Sequence, residues 1–385
     1  MATLLSRDQF LLPTPILVSS TAQLQDCITQ MTGCDAIAID TEFMRTDTFF
    51  PILGLVQIFD GKDCWLIDPI SISNLSPLAD LLINEKIVKV FHSCSEDTEV
   101  LKHVLNCIPK PLFDTQIAAA FAGYGFSKGY ATIVETMLGI HVEKGETRSN
   151  WLQRPLSKSQ LRYAALDVIH LLPVYRKLCE ILVQLGRKSW VDEDMESLVN
   201  HASDKEDLSL YFQKVKSAWQ FSPQDLSALQ MLCEWRETEA RDRNRPRNRI
   251  IDDKTLFNIV LKKPESKLDL VSIEGMYSSL IRRYAEILLD LLRDGLARSE
   301  KEYPEMLLEP LPRHTGEMVK KLKKIVSAQA ELLNLAPEVL ARNRDIEFLV
   351  RCIMRKEACL SENIAFGWRY GVIGKLLLDA ASTEI

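Results

Sequence analysis

The chain has 385 residues, of which 46% are hydrophobic, 26% charged and 8% aromatic. This length predicts roughly two to three domains, and the composition excludes a disordered, collagen-like or small disulfide-stapled protein. The net charge is −6, so the chain as a whole has no electrostatic attraction to nucleic acid. The charge is uneven, with 17 basic against 24 acidic residues in positions 1–200 and 30 against 29 in positions 201–385.

The cysteines and the N-terminal residues indicate the cellular compartment. The nine cysteines are scattered and form no C-x-x-C motif, which predicts neither a disulfide framework nor a cysteine-rich zinc site and favours a reducing cytosol. The first apolar stretch is broken by Pro13 and Pro15, unlike an export signal. No apolar run is long enough to span a bilayer. We therefore expect a cytoplasmic protein without a membrane partner.

The first half of the chain alternates predicted strands and helices. Short apolar runs bounded by Gly, Asp and Pro predict strands at residues 36–39, 53–59, 64–67 and 87–91. Helical periodicity follows at residues 96–105, 115–121 and 159–185. Early strands with helices packed around them are typical of an α/β domain with a mixed sheet. An acidic turn at 192–194 and a polar stretch at 200–207 mark its end, so we place this domain at residues 1–205.

The second half has a helical pattern throughout and a weak internal repeat. Residues 247–252 (RNRIID) resemble 342–347 (RNRDIE), and residues 287–290 (ILLD) resemble 376–379 (LLLD). These intervals, 95 and 89 residues, fit two copies of a helical module of small-domain size. We therefore expect all-α domains at residues 206–300 and 301–385.

Asp40 and Glu42 directly follow the first apolar run. Alternate residues of a strand point to the same side, so both carboxylates would face one place and Thr41 the other. Acidic side chains at the end of a buried strand need solvent or a cation. Considered alone, a solvated turn explains the pair equally well.

The fourth predicted strand is followed by the sequence HSCSED at residues 92–97. Ser93 and Glu96 have the spacing of a capping box, which gives Glu96 a structural role at the start of a helix. Asp97 lies in the first turn of that helix, where any acid complements the helix dipole. Its alternative role is that of a third acidic group at the mouth of the same sheet.

Tyr163 and Asp167 lie four residues apart in a predicted helix. A phenol and a carboxylate at this spacing project from the same helix face. Considered alone, Asp167 is also explained as a surface carboxylate.

Together these segments place four carboxylates and a tyrosine where they can converge. Converging carboxylates repel one another unless divalent cations neutralise them, and all-oxygen ligands favour Mg²⁺ or Mn²⁺ over zinc. Two such ions about 4 Å apart can activate water and stabilise the leaving oxygen of a phosphodiester. The tyrosine would orient that water or help to deprotonate it. The sequence therefore predicts two divalent cations, Mg²⁺ or Mn²⁺, as cofactors.

Taken in order, the three clusters resemble the exonuclease motifs of the DEDD superfamily in its tyrosine subclass, and in detail those of the ribonuclease D family. The matching segments are DTEFMR at 40–45, FHSCSED at 91–97 and YAALDV at 163–168. The segments KGET at 144–147 and WLQRPL at 151–156 resemble the family's link to the last helix. The resemblance extends over essentially the whole chain, because the family carries two helical HRDC domains after its exonuclease domain.

This resemblance implies a ribonuclease H-like α/β exonuclease domain followed by two all-α HRDC-like domains. It also implies a 3′→5′ exoribonuclease that releases nucleoside 5′-monophosphates, with tRNA precursors as its RNA partners. By position, the metal ligands would be Asp40, Glu42, Asp97 and Asp167, and Tyr163 would position the attacking water. The chain departs from the family pattern at two places. One is Ser93-Cys94, after the histidine, and the other is Asn150, where the family commonly has Asp before the tryptophan. Neither departure removes a metal ligand.

Two further features are candidates for contacts with RNA. Residues 236–249 carry six arginines against three acids; such runs are most often a solvated face, but the acid-free core of this one suits phosphate contacts. The glycine-rich segment 123–129 is interpreted as a loop that contacts RNA through Lys128, rather than as a phosphate cradle. The expected RNA-binding residues are His92, Lys128, Arg243, Arg245, Arg247 and Arg249. We assign Trp151 to the core rather than to base stacking.

Two other functions are consistent with parts of this sequence. A DNA exonuclease would use the same metals, because discrimination of the sugars depends on contacts to the 2′-hydroxyl that the sequence does not locate. A non-catalytic RNA-binding protein that has kept the fold is disfavoured by the intact set of four acids and one tyrosine. We expect the protein to be a monomer.

Overall fold

The computed structural model describes residues 13–143, 145 and 149–384, so Lys144, Glu146 and Thr147 of the predicted link lie outside the described residues. The chain divides into two compact units. The first contains the residues up to Met44, Leu53–Ser203 and the residues from Leu311 onward. The second contains Arg45–Ile52 and Asp204–Pro310.

A mixed sheet forms the centre of the first unit, as predicted. Its strands are β1 (Ile16–Val18), β2 (Ala36–Met44), β3 (Ile52–Phe59), β4 (Cys64–Ile67), β5 (Val88–Phe91) and β6 (Leu112–Asp114). Their order in the sheet is β1-β4-β3-β2-β5-β6. The pairs β1–β4, β2–β5 and β5–β6 are parallel, and β3–β4 is antiparallel. The sequence did not predict β1 and β6, because three residues are too few to show a strand pattern.

The central strands are apolar because both faces of the sheet are covered. Residues 36–39 of β2 are buried, and so is every residue of β3 after Ile52. The helices of this part of the chain are α1 (Thr21–Met31), α2 (Ser76–Leu82), α3 (Ser95–Leu105), α4 (Thr115–Phe121), α5 (Tyr130–Leu138), α6 (Lys158–Ile169), α7 (Leu171–Gln184) and α8 (Lys188–Ser203).

Strand β2 extends beyond its parallel neighbour. Ala36, Ile37 and Ala38 pair in register with residues 88–90 of β5, whereas β2 continues to Met44. Strand β5 ends at Phe91 and the chain then enters α3. The second half of β2 therefore lies beside the start of α3 instead of beside another residue of β5.

A carboxylate from a neighbouring strand fixes the start of α3, and the predicted capping box is wrong. Ser93 has a left-handed φ of 64°, and α3 begins after Cys94 without a side-chain cap, so Ser93 and Glu96 do not form the box. Instead, the carboxylate of Asp114 accepts hydrogen bonds from the N–H groups of Ser93 and Cys94, at 3.1 and 2.8 Å. The sequence did not reveal this cap because Asp114 lies about twenty residues further along the chain.

The helical stretch predicted at residues 159–185 is two helices. Helix α6 ends at Ile169, His170 follows, and α7 begins at Leu171. Pro173 lies in the first turn of α7, where its missing N–H removes no intrahelical hydrogen bond. The proline therefore marks the start of a new helix.

The second unit is helical, as predicted for the residues after 206. Its helices are α9 (Pro223–Asp242), α10 (Arg247–Ile250), α11 (Asp253–Lys262), α12 (Lys267–Val271) and α13 (Ser278–Ala297). Phe49 belongs to the apolar core that these helices form, with 9% of its surface exposed. The loop that follows β2 is thus part of the helical unit.

The C-terminal helices pack against α8 within the first unit. They are α14 (Gly316–Leu332), α15 (Pro337–Leu340), α16 (Asn343–Met354), α17 (Glu362–Ala365), α18 (Gly367–Arg369) and α19 (Lys375–Ser382). The ring of Trp368 stacks on Trp190 with centroids 4.7 Å apart, and Asp194 accepts hydrogen bonds from the Trp368 indole and from Arg369. Residues 192–194 were predicted as an acidic turn, but they lie inside α8 and help to hold these helices.

The internal repeat has a register different from the predicted one. Helix α9 is followed by Asn244 with φ 48°, and α14 is followed by Asn334 with φ 49°. A four-residue helix comes next in each case, α10 or α15, and then α11 or α16. The two asparagines are 90 residues apart, so the alignment of 247–252 with 342–347 is displaced by five residues. The left-handed turns at the two asparagines mark the register of the repeat, whereas the similar arginine clusters do not.

The division into three domains stays a prediction. The change of unit after Ser203 lies close to the predicted boundary at 205, but the residues from Leu311 pack with the first unit.

One disulfide, Cys352–Cys359, is present where none was predicted. Its cysteines lie on either side of the turn at Lys356 (φ 61°), and their spacing in the sequence did not reveal this turn. In the described residues, no helix combines the length and apolarity of a membrane span.

Candidate active site

Three carboxylates meet beside the half of β2 that extends beyond β5. Asp40 and Glu42 lie at alternate positions of this strand and therefore share one side, and α6, which packs against β2, supplies Asp167. One oxygen from each of the three lies within 4.8 Å of the others. The fold thus brings together acids from two of the three predicted clusters.

Asp97 adds a fourth acid from the first turn of α3. Burial, followed by the negative charges of Asp97, Asp167 and Glu42, raises the pKa of Asp40 well above its usual range. The charges of all three other acids therefore act on Asp40. The carboxylate of Asp97 accepts a hydrogen bond from the hydroxyl of Thr41 at 2.5 Å, and both side chains are buried. Sequence reasoning assigned no role to Thr41.

The mutual repulsion of these acids is consistent with a divalent cation site. Burial, with the charges of Asp167 and Asp97, raises the pKa of Glu42 to about 8. Burial also raises the pKa of Asp97 to about 6 and that of Asp167 to about 7. Carboxyl groups held this close together favour the protonated form unless a positive charge offsets their mutual repulsion. The all-oxygen donor set is the one that hard divalent ions prefer.

Tyr163 lies beside Asp167 on α6, and the two side chains affect each other's pKa. Burial and the surrounding carboxylates raise the pKa of its phenol, so the hydroxyl keeps its proton at neutral pH. A Cβ atom added at Gly145 would lie 2.5 Å from Cδ2 of the Tyr163 ring, which shows that the backbone at Gly145 packs against this ring. Trp151 is 2% exposed, so its assignment to the core is confirmed.

Tyr130, which the sequence analysis missed, borders the cluster from α5. Its hydroxyl donates a hydrogen bond to the carbonyl of Leu166 at 2.7 Å. Burial, followed by the charge of Asp167, raises its pKa well above the usual value. The only sequence signal for this residue is its place at the start of a helix after Gly129.

His92 joins the site to the glycine-rich loop. Its Nε2 lies 3.0 Å from the main-chain carbonyl of Lys128, and its Nδ1 lies 2.9 Å from the hydroxyl of Thr115. A carbonyl oxygen only accepts, so Nε2 donates. Burial lowers the pKa of His92, and its ring centroid is 5.8 Å from that of Tyr130. The Lys128 side chain is exposed.

The four predicted RNA-binding arginines have different environments. Arg247 forms an ion pair with the fully buried Glu237, and Arg243 pairs with Glu239. Arg245 and Arg249 are exposed, and their guanidinium groups make no ion pair within the residues that the structure describes.

Comparison with known proteins agrees with this arrangement. Residues 15–183 match the family model described as 3′-5′ exonuclease, and residues 225–292 match the HRDC domain. The chain is 41% identical over 344 residues to ribonuclease D of Pseudomonas paraeruginosa, which covers 89% of this chain and 91% of the relative. It is 34% identical over 372 residues to ribonuclease D of Haemophilus influenzae, with 95% and 92% covered.

A solved structure extends the likeness to the fold. The crystal structure of Escherichia coli RNase D, described as an exoribonuclease involved in structured RNA processing, has a TM-score of 0.88 and 32% identity, and covers 96% of this chain and 98% of that one. The exonuclease fold, together with the clustered acids, implies divalent metal binding. The chain belongs to the ribonuclease D family and is a 3′→5′ exoribonuclease with an RNA substrate.

Proposed function

We propose that this enzyme uses two divalent cations, Mg²⁺ or Mn²⁺, to hydrolyse the last phosphodiester of an RNA chain and release a nucleoside 5′-monophosphate. The residues that would hold the cations, directly or through water, are Asp40, Glu42, Asp97 and Asp167. The observation that carries this proposal is the approach of the Asp40, Glu42 and Asp167 oxygens to within 4.8 Å of one another, with the charge of Asp97 acting on Asp40.

Each residue has a role that follows from its surroundings. When bound, the cations acidify a water molecule and stabilise the charge on the leaving oxygen. Asp40, at the centre of the cluster, would contribute to holding both ions. Tyr163, which lies beside Asp167 on α6, would orient the attacking water or help to deprotonate it. His92 and Tyr130 border the position of the 3′ nucleotide.

The substrates that we propose are tRNA precursors and other structured RNAs with single-stranded 3′ ends, in a cytoplasmic, monomeric enzyme. The family name and the description of the Escherichia coli protein support this substrate class. Arg245 and Arg249 are the arginines of the basic segment that are free to contact phosphate. Lys128 would add a contact near His92.

An exonuclease assay on 5′-labelled RNA with Mg²⁺ tests the proposed reaction. We expect stepwise shortening by the native enzyme and none by Asp40→Asn, because the substitution removes the central negative charge. The matched control is Asp35→Asn, an exposed acid immediately before β2, which should leave the rate unchanged. RNA binding, measured by fluorescence anisotropy, should persist in Asp40→Asn.

Two results would overturn this reaction. One is full activity of purified Asp40→Asn, and the other is hydrolysis by the native enzyme in excess EDTA. Matched RNA and DNA oligonucleotides of the same sequence test the sugar preference, for which we expect faster degradation of RNA. Equal rates would favour a general 3′→5′ exonuclease.

A further inference from the structure

The carboxylate of Asp114 lies buried at the edge of the sheet where two strands end. Asp114 is the last residue of β6 and pairs in register with Phe91, the last residue of the parallel strand β5. Only 2% of its surface is exposed. A carboxylate this buried needs hydrogen-bond donors, because burying an unpartnered charge is costly.

Four backbone N–H groups donate to this carboxylate. Its Oδ1 atom accepts from Ser93 at 3.1 Å, from Gln116 at 2.8 Å and from Ile117 at 3.2 Å. Its Oδ2 atom accepts from Cys94 at 2.8 Å. Two of these donors belong to α4, for which Asp114 is the N-cap residue, and the other two form the turn between β5 and α3. One carboxylate thus fixes the starts of two helices.

The turn before α3 needs this support. Ser93 has a φ of 64°, in the left-handed region that a serine seldom adopts. Cys94, at the N-cap position of α3, provides no side-chain cap. An unfavourable backbone conformation persists only where its surroundings hold it. The hydrogen bonds to Asp114 therefore hold this turn in place of a local cap.

The turn held in this way leads directly into the first turn of α3, which carries Asp97. Because Asp97 follows Cys94 by three residues, the start of the helix determines where its backbone lies. The hydrogen bond from Thr41 orients the carboxylate of Asp97, whereas Asp114 fixes the backbone from which that side chain projects. The two contacts act on different parts of the same acid.

Asp114 also supports the contacts of His92, which lies in the same turn. The hydroxyl of Thr115, the first residue of α4, lies 2.9 Å from Nδ1 of the imidazole. Gln116 donates from Nε2 to the carbonyl of Lys128 at 3.1 Å, and this carbonyl also accepts from Nε2 of His92. The surroundings of the imidazole therefore depend on the helix that Asp114 caps.

We propose that Asp114 is a positioning residue of the active site, which fixes the turn before α3 and thereby places the carboxylate of Asp97 for cation binding. The proposal rests on the proposed function only in taking Asp97 as a metal ligand. Asp114 itself is occupied by four N–H groups, so its role is exerted through the backbone and not by contact with the cations.

Calorimetric titration of the full-length protein with Mn²⁺ tests this role in Asp114→Asn. The amide keeps the shape of the side chain but has only one acceptor oxygen, so some of the four N–H groups lose their partner. We expect an affinity about 10- to 100-fold lower, the usual cost of disturbing the support of a metal ligand. The matched control is Glu96→Gln, which removes an exposed negative charge from the same first turn of α3 and should leave the affinity nearly unchanged.

Kinetics on labelled RNA distinguish positioning from a loss of folded protein. Because misplacement of a reacting group is costly, we expect the kcat of Asp114→Asn to fall about tenfold or more while the KM for RNA stays nearly the same. A high Mn²⁺ concentration should recover much of the lost rate. A smaller fraction of correctly folded enzyme would instead lower kcat with no change in Mn²⁺ affinity, and that result would contradict the proposal.

Hydrogen–deuterium exchange of the metal-free protein locates the change. In Asp114→Asn, exchange should become faster for the amides at 93–94 and 116–117, and should stay the same for those at 36–39 in β2. Should this variant fail to fold, the exposed residue Ser93 provides the test. Ser93→Val disfavours the left-handed φ of the turn and should weaken Mn²⁺ binding, whereas Ser93→Gly adopts it freely and should not.

Unchanged Mn²⁺ affinity and kcat in folded Asp114→Asn would overturn the proposal, and so would equal affinities in the two Ser93 variants. If the native enzyme itself shows no nuclease activity, the proposed function fails. Mn²⁺ affinity and amide exchange then still decide whether Asp114 fixes this turn for cation binding.

Discussion

The hydroxyl of Thr41 donates a hydrogen bond to the carboxylate of Asp97. Thr41 lies between Asp40 and Glu42 on β2, so one strand both supplies two acids and orients a third that comes from α3. The hydrogen bond also favours the charged form of Asp97 and partly offsets the effect of burial on its pKa. Thr41 thus supports the cluster by holding the Asp97 carboxylate.

We expect Thr41→Val to weaken metal binding by about 10- to 100-fold, the usual cost of losing a partner that orients a metal ligand. Valine has nearly the same shape, so packing is kept while the hydrogen bond is lost. Mn²⁺ titration by calorimetry measures the effect. Thr136→Val, on the exposed face of α5, is the control, and equal affinities in the two variants would show that Thr41 does not orient Asp97.

Gly145→Ala should lower kcat about tenfold or more. The added Cβ atom would lie only 2.5 Å from Cδ2 of Tyr163, so the ring would have to move. A displaced ring could no longer position the attacking water in the proposed reaction. Gly129→Ala is the matched control, since no heavy atom lies within 4 Å of its added Cβ. Single-turnover rates on a short RNA measure the difference. A normal rate in Gly145→Ala would mean that the position of this ring does not matter.

Tyr163→Phe should reduce kcat by roughly 100-fold while RNA affinity stays the same, because in the proposed reaction the hydroxyl orients the attacking water and does not bind RNA. Steady-state kinetics on labelled RNA separate kcat from KM. The control is Tyr370→Phe, an exposed tyrosine near the C-terminus and far along the chain from the site motifs. A fall in affinity without a fall in kcat would contradict this role.

The raised pKa of Glu42 predicts how metal-free stability depends on pH. Its pKa is raised from 4.5, the usual value for a glutamate carboxyl group, to about 8, mainly by burial. The folded state therefore holds this proton more tightly than the unfolded state, so the stability that Glu42 contributes is present below pH 4.5 and is lost as the pH rises through about 8. Mg²⁺ should offset this loss, because it binds the ionised form.

Thermal unfolding at several pH values checks this prediction. We expect the Mg²⁺-induced rise in Tm to be larger at pH 8 than at pH 6 in the native protein. Glu42→Gln, which cannot ionise, should flatten this dependence. A rise in Tm that is independent of pH in the native protein would contradict the proposed proton–metal exchange.

The acids were predictable from sequence, whereas their supporting partners were not. Asp40, Glu42, Asp97 and Asp167 lie in short motifs whose neighbours reveal strands and helix starts. The partners of Arg247 could not be inferred, because its contact with Phe49 joins residues almost 200 positions apart. A run of arginines is also ambiguous until the buried carboxylate beneath it is known.

The same limit applies to the predicted elements. The mixed sheet followed from apolar runs that are buried on both faces. The capping of α3 by Asp114 depends on strand β6, which is too short to predict, and the register of the repeat depends on the left-handed turns at Asn244 and Asn334. Local pattern therefore predicts elements better than the contacts between them.

The convergence of the four acids on one cation site is tested most directly by a crystal of the Asp35→Asn control or the native enzyme soaked with MnCl₂ and a short RNA. We expect two anomalous difference peaks coordinated by oxygens of Asp40, Glu42, Asp97 and Asp167. Absence of manganese from these four carboxylates, at a concentration that supports hydrolysis in solution, would contradict the proposed mechanism.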